Sequence, residues 1–207
     1  MRRSGTLMGA MLLAVLWPKL SSAVDYFPAG NNISFNYSLN GSMSLSSSGS
    51  TVWHSYSYMG GSNSWRYVID SEGDVLESGC TIYASNCGAG ACPGSFSIAP
   101  GALYLDFPLE TGKTWSSETS VTYLSGEHYQ MVLEGVVVGP SNVTVPAGNF
   151  DVIVVRITKR FPTAGWLNST EVLWLHRQLG QVQDLVSWTG IVDTDGTAWG
   201  DLKAQFR

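Results

Sequence analysis

The sequence predicts an all-β protein, mostly antiparallel, and three observations carry that prediction. Residues 143–158 read as a strand, a turn at Pro146-Ala147-Gly148-Asn149, and a longer strand. Proline fixes φ at a turn corner, Gly and Asn tolerate positive φ, and the run Val152-Ile153-Val154-Val155 suits a pleated surface. Near the N-terminus, Ile33, Phe35, Tyr37 and Leu39 alternate with Ser34, Asn36 and Ser38, the period of a half-buried strand. Finally, Gly (23), Tyr (9) and Trp (8) are abundant while charged residues make up 13%, and helical periodicity never persists beyond a turn or two.

The first residues follow a different logic. Arg2 and Arg3 precede an apolar run at residues 7–17, and Ser21-Ser22-Ala23 supplies the small residues a signal peptidase reads. The run is too short to span a bilayer and is followed by Pro18 and Lys19. Residues 1–23 are therefore expected to be a removed signal peptide, and residues 24–207 a single β domain, secreted or periplasmic. Loss of Arg2, Arg3 and Lys19 leaves 8 basic against 16 acidic residues, a net charge of −8. That argues against nucleic acid and anionic membranes as partners, since both need clustered Lys or Arg.

Cys80, Cys87 and Cys92 all fall in one Gly/Ala-rich segment. In an oxidising compartment a local disulfide is expected among them, with one thiol left over that could pair a second chain. The spacing C-x6-C-x4-C lacks the close cysteine pairs and nearby histidines of a zinc module, so no metal site is expected. Which two cysteines pair stays open at the level of sequence.

In order along the chain, residues 42–51 are Ser-rich, a thin strand on Met43 and Leu45 or a loop. Residues 53–59 and 62–69 read as strands, and Asp70-Ser71-Glu72-Gly73-Asp74 turns into a strand at 75–78. The cysteine segment, 79–94, reads as irregular. Two short strands at 96–98 and 103–105 flank Pro100-Gly101. Strands follow at 115–123 and 129–138, and Gly139-Pro140-Ser141 reads as a turn into 143–158. Beyond a loop at 161–168 come strands at 171–176 and 181–189, then a turn at Asp193-Thr194-Asp195-Gly196 and a last strand toward Phe206. YFPAGNNISF (26–35) and DFPLETGKTW (106–115) share Phe-Pro, a spacer, Gly and a strand start, so two similar halves with a boundary near 105 are one reading. Two unrelated Pro/Gly turns before strands are the other.

DFPLETGKTW, VTVPAGNFDVIVVRIT (143–158) and EVLWLHRQLGQVQ (171–183), in that order, resemble a loose group of bacterial secreted and envelope proteins. Their pattern is Phe/Tyr-Pro-Leu, Gly, Trp, then Val-Pro-Ala-Gly-x-Phe, then a Trp-rich strand ending in Gly-x-Val. These are similar to the outer-membrane lipoprotein carrier superfamily. The resemblance implies a curved antiparallel sheet or half-open barrel, covers residues 106–182, and brings no catalytic residues with it. The cysteine segment and the Ser-rich first half depart from the pattern.

Candidate sites compete with structural readings. His54, His128 and His176 could serve as bases, but no Gly-x-Ser-x-Gly elbow is present, and His54 and His176 sit in strand patterns. Glu118, Glu127, Glu134 and Glu171 could furnish a glycosidase pair, yet sequence cannot set two across a cleft. Trp53, Tyr56, Tyr58, Trp65, Trp115, Trp166, Trp174 and Trp188 could stack sugars, although such rings more often build cores and cross-strand pairs. The two Asp/Gly turns lack the bidentate Glu of a calcium loop. Asn32, Asn36, Asn40, Asn142 and Asn168 head Asn-x-Ser/Thr sequons, glycan acceptors in a eukaryotic secretory pathway and chance matches in a bacterial one.

The leading expectation is a non-catalytic binding protein without a cofactor, holding a lipid or other apolar or amphipathic ligand on a concave sheet face. Apolar residues on both faces of one strand, Ile153/Val155/Ile157 against Val152/Val154, call for cover on both sides. The alternatives are a structural subunit of an extracellular assembly, self-associating by edge-strand addition, and a carbohydrate-active hydrolase.

Overall fold

The computed structural model describes residues 26, 33–37, 41–88, 90–183 and 185–189. The signal segment, the sequons at Asn32 and Asn40, the turn at 193–196 and the last strand toward Phe206 lie outside the described residues.

Among the described residues twelve strands follow one another: β1 (Ile33–Tyr37), β2 (Gly41–Ser48), β3 (Thr51–Tyr58), β4 (Gly61–Ile69), β5 (Val75–Ala84) and β6 (Phe96–Leu105), then β7 (Thr114–Tyr123), β8 (His128–Val145), β9 (Gly148–Arg160), β10 (Ser169–His176), β11 (Gly180–Gln181) and β12 (Leu185–Thr189). All belong to one antiparallel sheet in the order β11-β10-β9-β8-β7-β6-β5-β4-β3-β2-β1-β12. From β1 to β11 every neighbour in space is a neighbour in sequence, so each strand pairs with the one made just before it. Only β12 returns over a distance, with Trp188 opposite Phe35.

The two end strands, β11 and β12, are thus separated by residues 182–184 alone. No strand pairing joins them among the described residues, so the curved sheet is a half-open barrel with one seam. Side chains and turns bridge that seam. The Tyr37 hydroxyl on β1 donates to the Gln181 carbonyl on β11 at 3.3 Å, and Ala147 N–H, at the tip of the β8–β9 hairpin, donates to Leu185 O at 3.1 Å.

Strand alternation divides the apolar residues between two cores. The larger lies inside the curve and includes Val52, Tyr67, Leu105, Trp115, Leu133, Val155, Ile157 and Leu173. The smaller joins Phe150 and Val152, on the opposite face of β9, to Phe35, Leu179, Val182 and Leu185. The apolar residues on both faces of β9 are therefore covered by the protein itself, with the β1–β12 end closing over the outer face.

Four local expectations are corrected. Gly139-Pro140-Ser141 is no turn: β8 runs through it, with an irregularity between Val137 and Gly139 and with Pro140 opposite Ile153. A bulge accepts a proline, and Gly139 supplies the required φ of 135°. The two short strands flanking Pro100 are one strand, β6, whose ladder to β5 skips from Ser97↔Gly79 to Ala102↔Glu77. Residues 79–84 belong to β5 and carry Cys80 into a strand, because their partners on β4 continue to Gly61. The expected strand at 181–189 is interrupted at Val182 and Gln183, with Val182 N–H donating to Trp174 O and Leu185 N–H to Val182 O. The Ser-rich residues after Gly41 form a strand, β2, with Met43 and Leu45 buried on one face.

Candidate functional site

A cavity of about 320 Å³ opens on the concave face where the two cores meet. β2 contributes Met43 and Leu45, β3 His54 and Tyr56, β4 Asn63, Trp65 and Tyr67, and β6 Tyr104 and Leu105. The opposite wall is Lys159 of β9, Glu171, Leu173 and Leu175 of β10, and Leu179 with β11. On β2, β3, β4 and β10 the lining residues are spaced by two, so the pleat aims them to one face; Tyr104 and Leu105 of β6 are consecutive. The volume falls in the usual range for small-molecule sites, about 300–1,000 Å³.

One corner of the cavity is charged. Lys159 Nζ lies 2.7 Å from Glu77 Oε2 and 3.9 Å from Glu171 Oε1. The same ammonium sits 5.0 Å from the Trp65 ring centre and 5.7 Å from that of Tyr104, both within cation–π range. Glu77 is 0% exposed, and its Oε1 has no hydrogen-bond partner among the described residues. Burial pushes its carboxyl up, and the Lys159 ammonium pulls in the opposite direction. Glu171 is looser, with a side chain 43% exposed. Burial, with the Glu171 charge adding to it, pushes the Tyr56 phenol up to about 12, so the ring remains neutral.

From Trp65 a line of rings leads outward. Phe96 lies 5.7 Å from Trp65, Tyr123 5.6 Å from Phe96, Tyr129 5.9 Å from Tyr123, and Trp166 6.4 Å from Tyr129. The series ends at a rim, since Trp166 is 78% exposed. The last ring belongs to a single 3-10 turn, Gly165–Leu167, which Asn168 steadies by accepting the Phe161 N–H at 2.7 Å.

The residues singled out from sequence are scattered over this frame. His54 is in the cavity wall, its ring tilted against that of Tyr67 with centres 5.0 Å apart, and burial lowers its pKa to about 3. His128 is exposed and bonds Thr122 Oγ1 at 2.9 Å, and His176 sits edge-on to Phe150 at 5.4 Å on the outer face of β10. Glu118 is exposed, Glu127 accepts from Ser125, and Glu134 pairs with Arg160 at 2.8 Å. Of the four acids only Glu171 reaches the cavity. Glu77, buried behind the wall and sharing Lys159 with Glu171, was missed, as was the central role of Lys159. With Glu77 sealed behind Lys159, the two carboxylates do not flank an open cleft as a glycosidase pair must.

Cys87 and Cys92 form the disulfide, and Cys80 is a free thiol 3% exposed, pushed up to about 12 mainly by burial. Asp70 Oδ1 accepts from the N–H groups of Glu72 and Asp74, at 2.9 and 3.0 Å, and so serves its own turn. Among the described residues no group of three or more His, Cys, Asp or Glu could hold a metal ion, and no helix is long and apolar enough to cross a membrane. Asn36 and Asn142 are exposed, and Asn142 donates to Asp151.

No known protein family, no curated protein and no solved structure matches this chain.

Proposed function

We propose that the chain is a non-catalytic binding protein whose concave face holds an apolar or amphipathic ligand. The cavity where the two cores meet carries this reading: leucine, methionine and aromatic rings make up most of its walls, and its two charged lining residues, Lys159 and Glu171, lie together, 3.9 Å apart. Such a division matches a ligand with a tail and a head, because burying the tail is favourable wherever water leaves apolar surface. The resemblance to lipoprotein carriers points the same way by analogy. The signal-like N-terminus and the Cys87–Cys92 disulfide favour an oxidising compartment outside the cytoplasm.

The test is a titration of the purified chain with a fluorescent alkyl probe, repeated with Leu175→Phe, which fills the hollow. Saturable one-site binding that weakens in the variant supports the reading. An absence of saturable binding to the unaltered chain would end it.

A further inference from the structure

The charged corner has more to say about the head group. At this corner the acidic groups outnumber the basic one. Glu77 and Glu171 face a single cation, Lys159, and the Asn63 Oδ1 in the wall has no hydrogen-bond partner among the described residues. With both carboxylates ionised, the three charged groups sum to −1. An anionic head would add a third negative group around the one ammonium that neutralises the fully buried Glu77, weakening a counter-ion whose loss is expensive in a dry interior. A cationic head meets no such obstacle. Glu171 is half-exposed and 3.9 Å from Lys159, beyond a good hydrogen bond, so its oxygens are open to a second donor. The neighbouring rings of Tyr56, Trp65 and Tyr104 present faces that attract cations, and two of them already do so for Lys159.

Resting on the binding-protein reading above, we infer that the ligand is an amphiphile with a cationic head, a protonated amine on an alkyl or similar apolar tail. The ammonium bonds Glu171 and Asn63 Oδ1 beside the Lys159 ammonium, against the aromatic faces, and the tail lies along Leu105, Leu173 and Leu175. An ammonium has donors and no acceptor, the complement of a corner with acceptors to spare.

The experiment compares three probes that share one tail and differ in the head: decylamine, decanol and decanoate, each titrated below its micelle concentration into the full chain at pH 7 while Trp emission is followed. Decylamine is expected to bind about tenfold more tightly than decanol, and decanoate more weakly than either, as one charge-assisted hydrogen bond would give. Glu171→Gln should bring the decylamine-to-decanol affinity ratio from about tenfold to near one, with the thermal melt checking the fold. Decanoate binding as tightly as decylamine would overturn the cationic head while leaving the apolar site standing, and so would decylamine indifferent to Glu171→Gln. Failure of all three probes to bind would remove the binding-protein reading itself and this inference with it.

Discussion

The indole of Trp115 occupies the space that a side chain at Gly135, its partner across the β7–β8 ladder, would need. A Cβ at position 135 would lie 2.0 Å from Cε2 and 2.1 Å from Cζ2 of that ring. The ring is held in place, because its Nε1 donates to Leu103 O at 3.0 Å. Gly135→Ala is therefore expected to cost about 3 kcal/mol through overpacking. Urea denaturation should give a lower midpoint at an unchanged m-value. A midpoint equal to that of the unaltered chain would mean the indole has somewhere else to go.

The Lys159–Glu77 pair makes a second prediction. Lys159→Met leaves Glu77 as a buried carboxylate without a counter-ion and should cost roughly 3–5 kcal/mol, whereas Lys159→Met with Glu77→Leu should recover most of the loss. The sign with pH follows from the raised carboxyl of Glu77. Its folded pKa lies above the unfolded value, so the folded state binds the proton more tightly and the group's contribution weakens as pH rises from about 4.3. The stability of the unaltered chain relative to Glu77→Gln should accordingly fall from pH 4 toward neutrality. A difference that grows with pH would reverse the assignment and make Lys159 the dominant influence.

Much of this frame was legible in the chain. The β8–β9 hairpin announced itself because its turn residues and its β-branched run agree, a local coincidence that needs no partner to recognise. Gly139-Pro140 misled because the same two residues that make turns also make bulges, and only the partner strand decides between them. The charged corner was half legible. Lys159 shares the parity of Val155 and Ile157, and Glu77 that of Val75, so each could have been placed on an inward face. That they meet is set by the curvature of the sheet, which brings β5 opposite β9, and no stretch of sequence encodes such an encounter by itself.

The cysteines should behave unequally. The Cys87–Cys92 bond closes a separation of 5 residues, and the loop-entropy relation assigns such a short loop about 2 kcal/mol. Cys87→Ser with Cys92→Ser should lower stability by that amount. Cys80, buried and with its thiol pushed up to about 12, should resist iodoacetamide at pH 8 in the folded protein and react once urea is added. Labelling of Cys80 at the same rate with and without urea would contradict the burial.

Tyr37→Phe removes the hydroxyl that crosses the seam to the Gln181 carbonyl. The expected loss is about 1 kcal/mol. Hydrogen exchange should locate it, with amides of β11 and β12 exchanging faster and those of β6–β8 unchanged. A uniform rise across the sheet would indicate that the seam opens only when everything does.

The position of β12 has a temporal consequence. In a chain made from its N-terminus, ten strands can pair with the strand just completed, while β1 has one edge waiting for residues 185–189. Until residues 179–189 are made β1 is held by β2 alone, and the smaller core lacks Leu179, Val182 and Leu185. A nascent chain of this design keeps an unfinished margin until residues 185–189 have been made.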